Sequence, residues 1–353
     1  MTEKKLAGKR TSMLLVFMAV TTFLFQSCGE ELKLDDMLPE YSGQPNEVYV
    51  FCDNVIWKDT VGAFVLEHLE ERTKNLPQPE KRFTVYQFQA DDMNKARLTH
   101  RNIIKLVVDQ RNENKKAAII RKGSRWAKNQ LLYEFKGPNV SDMLALIRKE
   151  LPGVLEEIDL KERERALVKF RKRTNLTAQK KLSEALNLDL VIPKRLSLHK
   201  TVIDSAESFA WLEAKGKSPD GTGVLHQGIF IYSYPYVDDS AFTYKHLISK
   251  RDSVLKKQVP GSRAGQYLKT LKMEGKLPDY KEINLLRNYA VEMRGQFTMH
   301  NGFMGGPFIS LTTYDENRNR LVTVEGYCYA PQLKKRDFLK EMESIVYSIS
   351  FSN

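Results

Sequence analysis

Cys28 is the residue whose surroundings point most directly to a chemical modification. A basic segment at residues 4–10 precedes an apolar run from Met13 to Phe25, and Gln26 and Ser27 lead into the cysteine. This order is typical of a signal peptide that is cut before a cysteine whose thiol is then acylated. The run of 13 residues is too short for a membrane span, because a helix rises only about 1.5 Å per residue. We therefore predict lipidation at Cys28; an ordinary signal peptide that is cut elsewhere is the alternative.

No residue pattern in the chain predicts catalysis. A nucleophile elbow needs Gly-x-Ser-x-Gly, whereas Gly261 to Gly265 places its serine one position too early. No two histidines have the helical spacing of a zinc site; they are His68, His100, His199, His226, His246 and His300. We expect no metal, no cofactor, and a binding or structural role. A carbohydrate-active or hydrolytic surface enzyme with a dispersed active site is the alternative.

Two sets of residues could bind a ligand. Tyr232, Tyr234 and Tyr236 alternate along one strand-like run and therefore share one face, which could stack against a sugar ring. The alternative is that these rings pack inside the sheet. Gly305 and Gly306 could let a ligand approach bare backbone amides, and the alternative is a turn with positive φ before a strand.

Hydrophobic and turn patterns predict an α+β protein with two domains. Residues 46–155 open with a strand at Glu47 to Phe51 and a helix from Val55 to Arg72, whereas residues 188–353 contain more strands and end on an amphipathic helix from Lys334 to Tyr347. Residues 156–187 are strongly charged and predict a helical connector between the domains. Its basic C-terminal end could dock on a membrane; the alternative is a structural helix that is exposed to solvent. We expect two mixed, largely antiparallel sheets with covering helices.

Two further cysteines lie near opposite ends of the folded part. Cys52 and Cys328 could form a disulfide only if their strands lie close together, since bonded Cα atoms stand within about 7 Å. The alternative is two separately buried thiols.

Motifs along the chain from residue 45 onward together carry a resemblance to a known family. They include Pro45-Asn46-Glu47-Val48, Cys52-Asp53, His100-Arg101-Asn102-Ile103, Trp126-Ala127-Lys128, Tyr234-Pro235-Tyr236, Arg251-Asp252, Met304-Gly305-Gly306-Pro307-Phe308 and Glu325-Gly326. The chain thereby resembles Bacteroidota lipoproteins that are catalogued as a domain of unknown function, DUF 4837. The resemblance implies a secreted lipoprotein and brings no established activity.

The predicted location sets the expected partners. We expect residues 1–27 to be a signal peptide, residues 28–45 a lipidated tether, and the protein an outer-membrane lipoprotein of the cell envelope, periplasmic or surface-exposed. A net charge of +12 favours anionic partners, and in this compartment these are lipid headgroups, envelope proteins or glycans rather than nucleic acid. Four Asp-Ser/Thr-apolar triplets also resemble O-glycosylation sites of exported Bacteroidota proteins, with acceptors at Thr60, Ser205, Ser240 and Ser253.

Overall fold

The computed structural model describes residues 37–109, 116–218, 220–285 and 288–352. Cys28, the predicted signal peptide and the tether before residue 37 lie outside these residues. Two large sheets, each with its own helices, organise the described chain. None of the helices within the described ranges is long and apolar enough to cross a membrane.

The first domain is built on a five-stranded sheet. Its strands are β1 (Glu47–Phe51), β2 (Thr84–Phe88), β3 (Asn102–Val108), β4 (Ala118–Gly123) and β5 (Leu131–Gly137); its helices are α1 (Asn54–Trp57), α2 (Thr60–Leu69), α3 (Lys95–Leu98) and α4 (Val140–Arg171). The strand order is β2-β1-β3-β5-β4, and β4 pairs antiparallel with β5, whereas the other three pairings are parallel. The sheet is therefore mixed, as predicted, but it is mostly parallel and not largely antiparallel.

The predicted helix from Val55 to Arg72 is in fact two helices. The second begins at Thr60, whose backbone N–H donates to the Asp59 carboxylate at 2.7 Å. The two helices approach closely, because a Cβ at Gly62 would lie 1.9 Å from the Trp57 carbonyl oxygen. Apolar residues of α2 and α4 then cover the central strands, where Val48 and Val50 are fully buried.

The second domain is built on an antiparallel eight-stranded sheet. Its strands are β6 (Leu188–Asp189), β7 (Ser197–Val202), β8 (Ser208–Lys217), β9 (Val224–Pro235), β10 (Tyr267–Thr270), β11 (Asp279–Leu285), β12 (Asn288–His300), β13 (Gly305–Asp315), β14 (Arg320–Tyr329) and β15 (Ser350–Phe351); its helices are α5 (Leu176–Leu186), α6 (Tyr244–Gln258) and α7 (Arg336–Val346). The order in the large sheet is β10-β12-β13-β14-β9-β8-β7, with β11 paired to β12, and β15 pairs separately with β6.

Both faces of the second sheet are covered. Aliphatic side chains on one face, such as Ile229 and Val324, pack against α5 and α7. Aromatic side chains on the other face, such as Phe230 and Phe308, pack against α6. Successive side chains of a strand point to opposite faces of the sheet, so an apolar strand such as β9 contributes side chains to both cores. The α+β class predicted from the sequence is confirmed.

The predicted connector at residues 156–187 is divided between the two domains. Its first part continues α4, which runs unbroken from Val140 through Pro152 to Arg171 and belongs to the first core through Leu155 and Ile158. Its last part is α5, whose Leu182 and Leu186 lie in the second core. The charged helix therefore forms one wall of the boundary between the domains.

Candidate functional site: the cleft between the two domains

A cavity of about 300 Å³ lies where α4 of the first domain faces α7 of the second. We call it the interdomain cleft. The segment from Tyr41 to Asn46 forms its third wall. A concave site at a domain boundary that combines apolar walls with a few convergent polar groups is the usual form of a ligand site.

The first-domain wall holds a buried charge cluster with more cations than carboxylates. The carboxylate of Glu162 accepts hydrogen bonds from Nε and Nη2 of Arg101, at 2.8 and 2.6 Å, and from Nη1 of Arg165 at 2.6 Å. Both guanidinium groups also lie over the Tyr41 ring, at 4.8 and 4.9 Å from its centroid. Burial lowers the pKa of Arg165, although Glu162 acts in the opposite direction. One carboxylate thus serves two arginines, which leaves positive charge in this wall.

The second-domain wall reaches across to the first domain through α7. The Lys340 ammonium donates to Asp159 at 2.6 Å and to the Asn46 side chain at 2.9 Å, and Asn46 donates to Asp337 at 2.7 Å. Arg82 also donates to Asp159, at 2.6 Å. Burial by itself would raise the pKa of Asp159, but Lys340 and Arg82 outweigh burial and hold that pKa below its usual range. Asp159 is therefore ionised at neutral pH and paired with the side chains of Lys340 and Arg82.

A third contact closes the far end of the cleft. The Glu343 carboxylate on α7 pairs with Arg163 of α4 at 3.6 Å and with Arg294 of β12 at 3.0 Å. The Arg163 guanidinium also lies 4.1 Å from the centre of the Tyr347 ring. Charged contacts of this kind are worth little on open surfaces, but these side chains are less than one-third exposed. They hold the two walls at a fixed separation.

Behind the cleft, the first domain caps a helix of the second. The Glu80 carboxylate accepts from the backbone N–H groups of Lys335 and Arg336, at 2.6 and 3.0 Å. These groups begin α7, and Lys335 makes no side-chain cap of its own. An acidic group at a helix N-terminus satisfies free N–H donors and complements the helix dipole. The orientation of α7, and with it one cleft wall, thus depends on Glu80.

The predicted aromatic platform is mostly internal. Tyr232 and Tyr234 are only 3% and 5% exposed and pack beneath α6, so these two rings cannot stack on a ligand. Tyr236 is half-buried and lines a separate hollow with Phe242, Tyr289 and Tyr314. Its hydroxyl donates to Asp239 at 2.5 Å, and this bond raises the Tyr236 pKa to about 12.

Gly305 and Gly306 begin β13 with φ outside the positive range. They pair with Thr298 and Phe297 of β12, so they belong to the strand and do not form the expected turn. A Cβ at Gly306 would lie 2.1 Å from the Cys328 carbonyl oxygen. Close approach of neighbouring strands, and not ligand access, is what requires glycine at this position.

Cys52 and Cys328 are both free, buried thiols. Cys52 lies in the first core and Cys328 on β14 of the second domain, and the disulfide alternative is not formed in the structure. Burial raises the pKa of each thiol to about 12. Neither is therefore a thiolate at neutral pH.

His100 lies close to the cleft but is sealed from it. Its ring is fully buried and stacks on Tyr49 at 3.6 Å between centroids, and its Nε2 lies 3.5 Å from Glu47. Gly43 covers it, since a Cβ there would come within 2.3 Å of that nitrogen. Burial lowers the His100 pKa. Within the described ranges, no three His, Cys, Asp or Glu side chains are grouped to hold a metal ion.

The four predicted glycosylation acceptors are all exposed. Ser205 lies in the loop between β7 and β8, Ser240 in a 3₁₀ turn (Asp239–Phe242), Thr60 at the start of α2, and Ser253 within α6.

Sequence reasoning did not identify the residues of the interdomain cleft. Asn46 and Arg101 stand in motifs that carried the family resemblance, and Glu162 and Arg165 were attributed to a charged connector. The one available signal was the spacing of Glu162 and Arg165, three residues apart on a helix. That spacing does not reveal burial against a second domain.

Two protein-family models match the chain, and their boundary falls between α4 and α5, where the structure also passes from the first domain to the second. Residues 175–348 match the model of DUF4837, a domain of unknown function. Residues 42–171 match DUF8532, which is also a domain of unknown function. The predicted resemblance to DUF4837 is thus confirmed over residues 175–348, whereas residues 42–171 match a separate model. A search of curated proteins gave no match.

Proposed function

Because its second half is a DUF4837 domain and its first half a DUF8532 domain, neither with an assigned activity, we propose that this protein is a cell-envelope lipoprotein that works by binding. Cys28 supplies the lipid anchor. The interdomain cleft receives an acidic ligand or an acidic segment of an envelope partner. The observation that carries this proposal is the buried cluster in which Glu162 is shared by Arg101 and Arg165.

The charges around the cleft support an acidic ligand. Lys169 lies exposed on the cleft rim, one helical turn beyond Arg165. Within the described ranges its ammonium group makes no ion pair, whereas the carboxylates of Asp159 and Glu343 are each held by two cations. The lining as a whole carries five cationic and five acidic side chains, so an incoming carboxylate or phosphate is attracted by the ammonium group of Lys169 and not by a net positive charge. An ion pair formed in a partly desolvated site is stronger than one formed in water.

The same contacts support binding more than acid–base chemistry. A general acid at neutral pH needs a pKa near the working pH. The Asp159 pKa is lowered, and His100 is sealed behind Gly43. A cleft whose carboxylates are already paired is suited to hold a ligand by charge and shape.

Site-specific photo-crosslinking tests the cleft as the binding site. Gln44 is an exposed lining residue and Val237 is 82% exposed in the second domain, far along the chain from the cleft residues. A photoreactive side chain at position 44 should capture an envelope component that position 237 does not. Ala166→Trp, which fills the cleft from α4, should abolish the capture from position 44, whereas Ser205→Trp in an exposed loop should leave it intact. Equal capture from both positions would contradict the proposal.

The anchor is tested separately. Acylation of the native chain at Cys28 is measured by mass spectrometry of the purified protein and by membrane fractionation of a Cys28→Ser variant. A chain without acyl groups, or a variant that remains with the membrane at the same processed size, would refute the lipoprotein assignment.

A further inference from the structure

We infer that the surface beside the N-terminal tether is a membrane-docking face that binds anionic lipid headgroups. We call it the basic docking face and define it by Lys128, Lys169, Lys172 and Arg173. The inference rests on the proposed lipid anchor, because the anchor is what brings this surface to a bilayer.

The four cations lie around the point where the described chain begins. The backbone N–H of Lys128 donates to the Pro39 carbonyl at 2.8 Å. Lys169 and Lys172 line a shallow hollow together with Tyr41. Arg173 follows directly at the end of α4, and its carbonyl accepts from the Lys194 N–H at 2.8 Å, which adds a fifth cation beside it. The tether therefore leaves the folded domains from the middle of a basic surface.

Few carboxylates offset these charges. Glu40 and Glu164 line the same hollow, and Glu164 is paired with Lys161 at 2.9 Å. Lys169, Lys172 and Arg173 are exposed, and none of them makes an ion pair with another residue of the described chain. This contrasts with the neighbouring cleft, in which the arginines share buried carboxylates. Exposed cations without partners are available to phosphate groups of lipids.

Exposed apolar side chains accompany the cations. Met37 is 78% exposed, Val168 is 42% exposed and Leu176 is 73% exposed. A mixture of apolar side chains and lysines is typical of surfaces that lie in the headgroup region, where the apolar groups enter the acyl boundary and the ammonium groups meet phosphates.

The length of the tether fits contact with the bilayer. Cys28 and Met37 are nine residues apart, which allows at most about 30 Å between them even when fully extended. An acylated Cys28 would therefore keep the basic docking face within reach of the headgroups. Each Lys or Arg near an anionic surface contributes about 1 kcal/mol, so the face would orient the domains relative to the membrane.

Vesicle binding tests the basic docking face without the lipid anchor. The probe is the mature chain from residue 28 with Cys28→Ser, mixed with phosphatidylglycerol vesicles or phosphatidylcholine vesicles and sedimented at low and high salt. We expect binding to phosphatidylglycerol only, and loss of that binding at high salt. Neutralising Lys169, Lys172 and Arg173 to Gln should weaken it about a hundredfold, from the contribution of the three charges.

A matched control separates a specific face from net charge. Lys245, Lys276 and Lys281 are exposed and lie on or beside α6 and β11 in the second domain, and their change to Gln removes the same total charge. This triple variant should bind within about twofold of the parent chain, since distant exposed charges are screened. Equal losses in both triple variants, binding to phosphatidylcholine, or no binding to either vesicle would overturn the inference. Acylation of Cys28 is measured independently, so a missing anchor and an inactive face give different results.

Discussion

The Arg251–Glu325 ion pair gives the sharpest prediction about stability. Glu325 is fully buried on β14, and its two oxygens accept from Arg251 of α6 at 2.7 Å each. The Arg251 guanidinium also lies 3.8 Å from the centre of the Phe308 ring. Changing Glu325 to Gln keeps the shape but removes the bidentate partner of the buried arginine, which then retains only the longer contact to Asp252 at 3.7 Å. Breaking one side of such a pair costs about 3–5 kcal/mol, which is a large part of the about 5–15 kcal/mol that stabilises a typical protein.

Removing both charges should cost much less than removing one. In a double variant with Arg251→Met and Glu325→Leu, no charge remains in the core, and replacing buried ion pairs by apolar residues is often neutral or stabilising. Thr270 loses the hydrogen bond that Arg251 donates to it at 2.9 Å, but its hydroxyl still donates to Asp252 at 2.6 Å. We therefore expect the double variant to be within about 2 kcal/mol of the parent chain.

Urea unfolding followed by tryptophan fluorescence measures both variants. The chain has three tryptophans, and Trp211 lies in the second domain, where its indole donates to Tyr327 at 3.0 Å. Changing Trp57 and Trp126 to Phe makes Trp211 the only reporter. Glu184→Gln, which removes an exposed pair with Lys180 at 3.8 Å, is the control and should change stability by less than about 0.5 kcal/mol. If Glu325→Gln matched that control, or if the double variant were as unstable as Glu325→Gln, the reasoning from a buried charge that has lost its bidentate partner would be wrong.

Four other predictions concern the domain boundary, acid stability, two glycines and glycosylation. Glu80→Ala removes the cap of α7 and should cost about 1–2 kcal/mol, whereas Glu71→Ala, at an exposed position, should be neutral in thermal unfolding. The pKa of Asp159 is lowered in the folded protein, so its contribution to stability is present above the unfolded pKa and is lost as the pH falls through the folded pKa. Asp159→Asn should therefore be less sensitive to acid than the parent chain in unfolding measured below about pH 4. Gly306→Ala should destabilise by at least about 1–3 kcal/mol because the new Cβ meets the Cys328 carbonyl, while Gly153→Ala, which meets no atom within 4 Å in the middle of α4, should stabilise by about 0.5–1 kcal/mol. Ser205→Ala should lower the mass of the natively exported protein by one glycan; an unmodified parent mass would remove the glycosylation hypothesis.

Local patterns predicted many elements correctly because they depend on neighbours in the chain. The strand at Glu47–Phe51 has the predicted bounds, and the final helix begins and ends within two residues of the prediction. Period-two alternation correctly placed Tyr232 and Tyr234 of β9 on one face. Alternation does not tell which face of a sheet is covered by a helix. In the structure α6 packs on this face and buries its side chains.

The candidate site was less predictable because its members are distant in the sequence. Asn46, Asp159 and Lys340 meet only when both domains are folded and packed. Glu80 acts on a helix that begins more than 250 residues later. No short motif encodes such a contact, because it depends on how two finished surfaces match.

The sequence by itself determined the α+β class and the presence of two halves, since these follow from local composition and periodicity; the anchor at Cys28 stays a prediction from the same kind of local pattern. Only the tertiary structure decided that the first sheet is mostly parallel, that Cys52 and Cys328 remain apart, and that α4 carries the wall of a cleft. Strand direction, thiol separation and burial of Glu162 all depend on long-range packing. The physical reason is that a side chain's own neighbours set its conformation, whereas its solvent exposure and its charge partners are set by segments that the chain brings to it from far away.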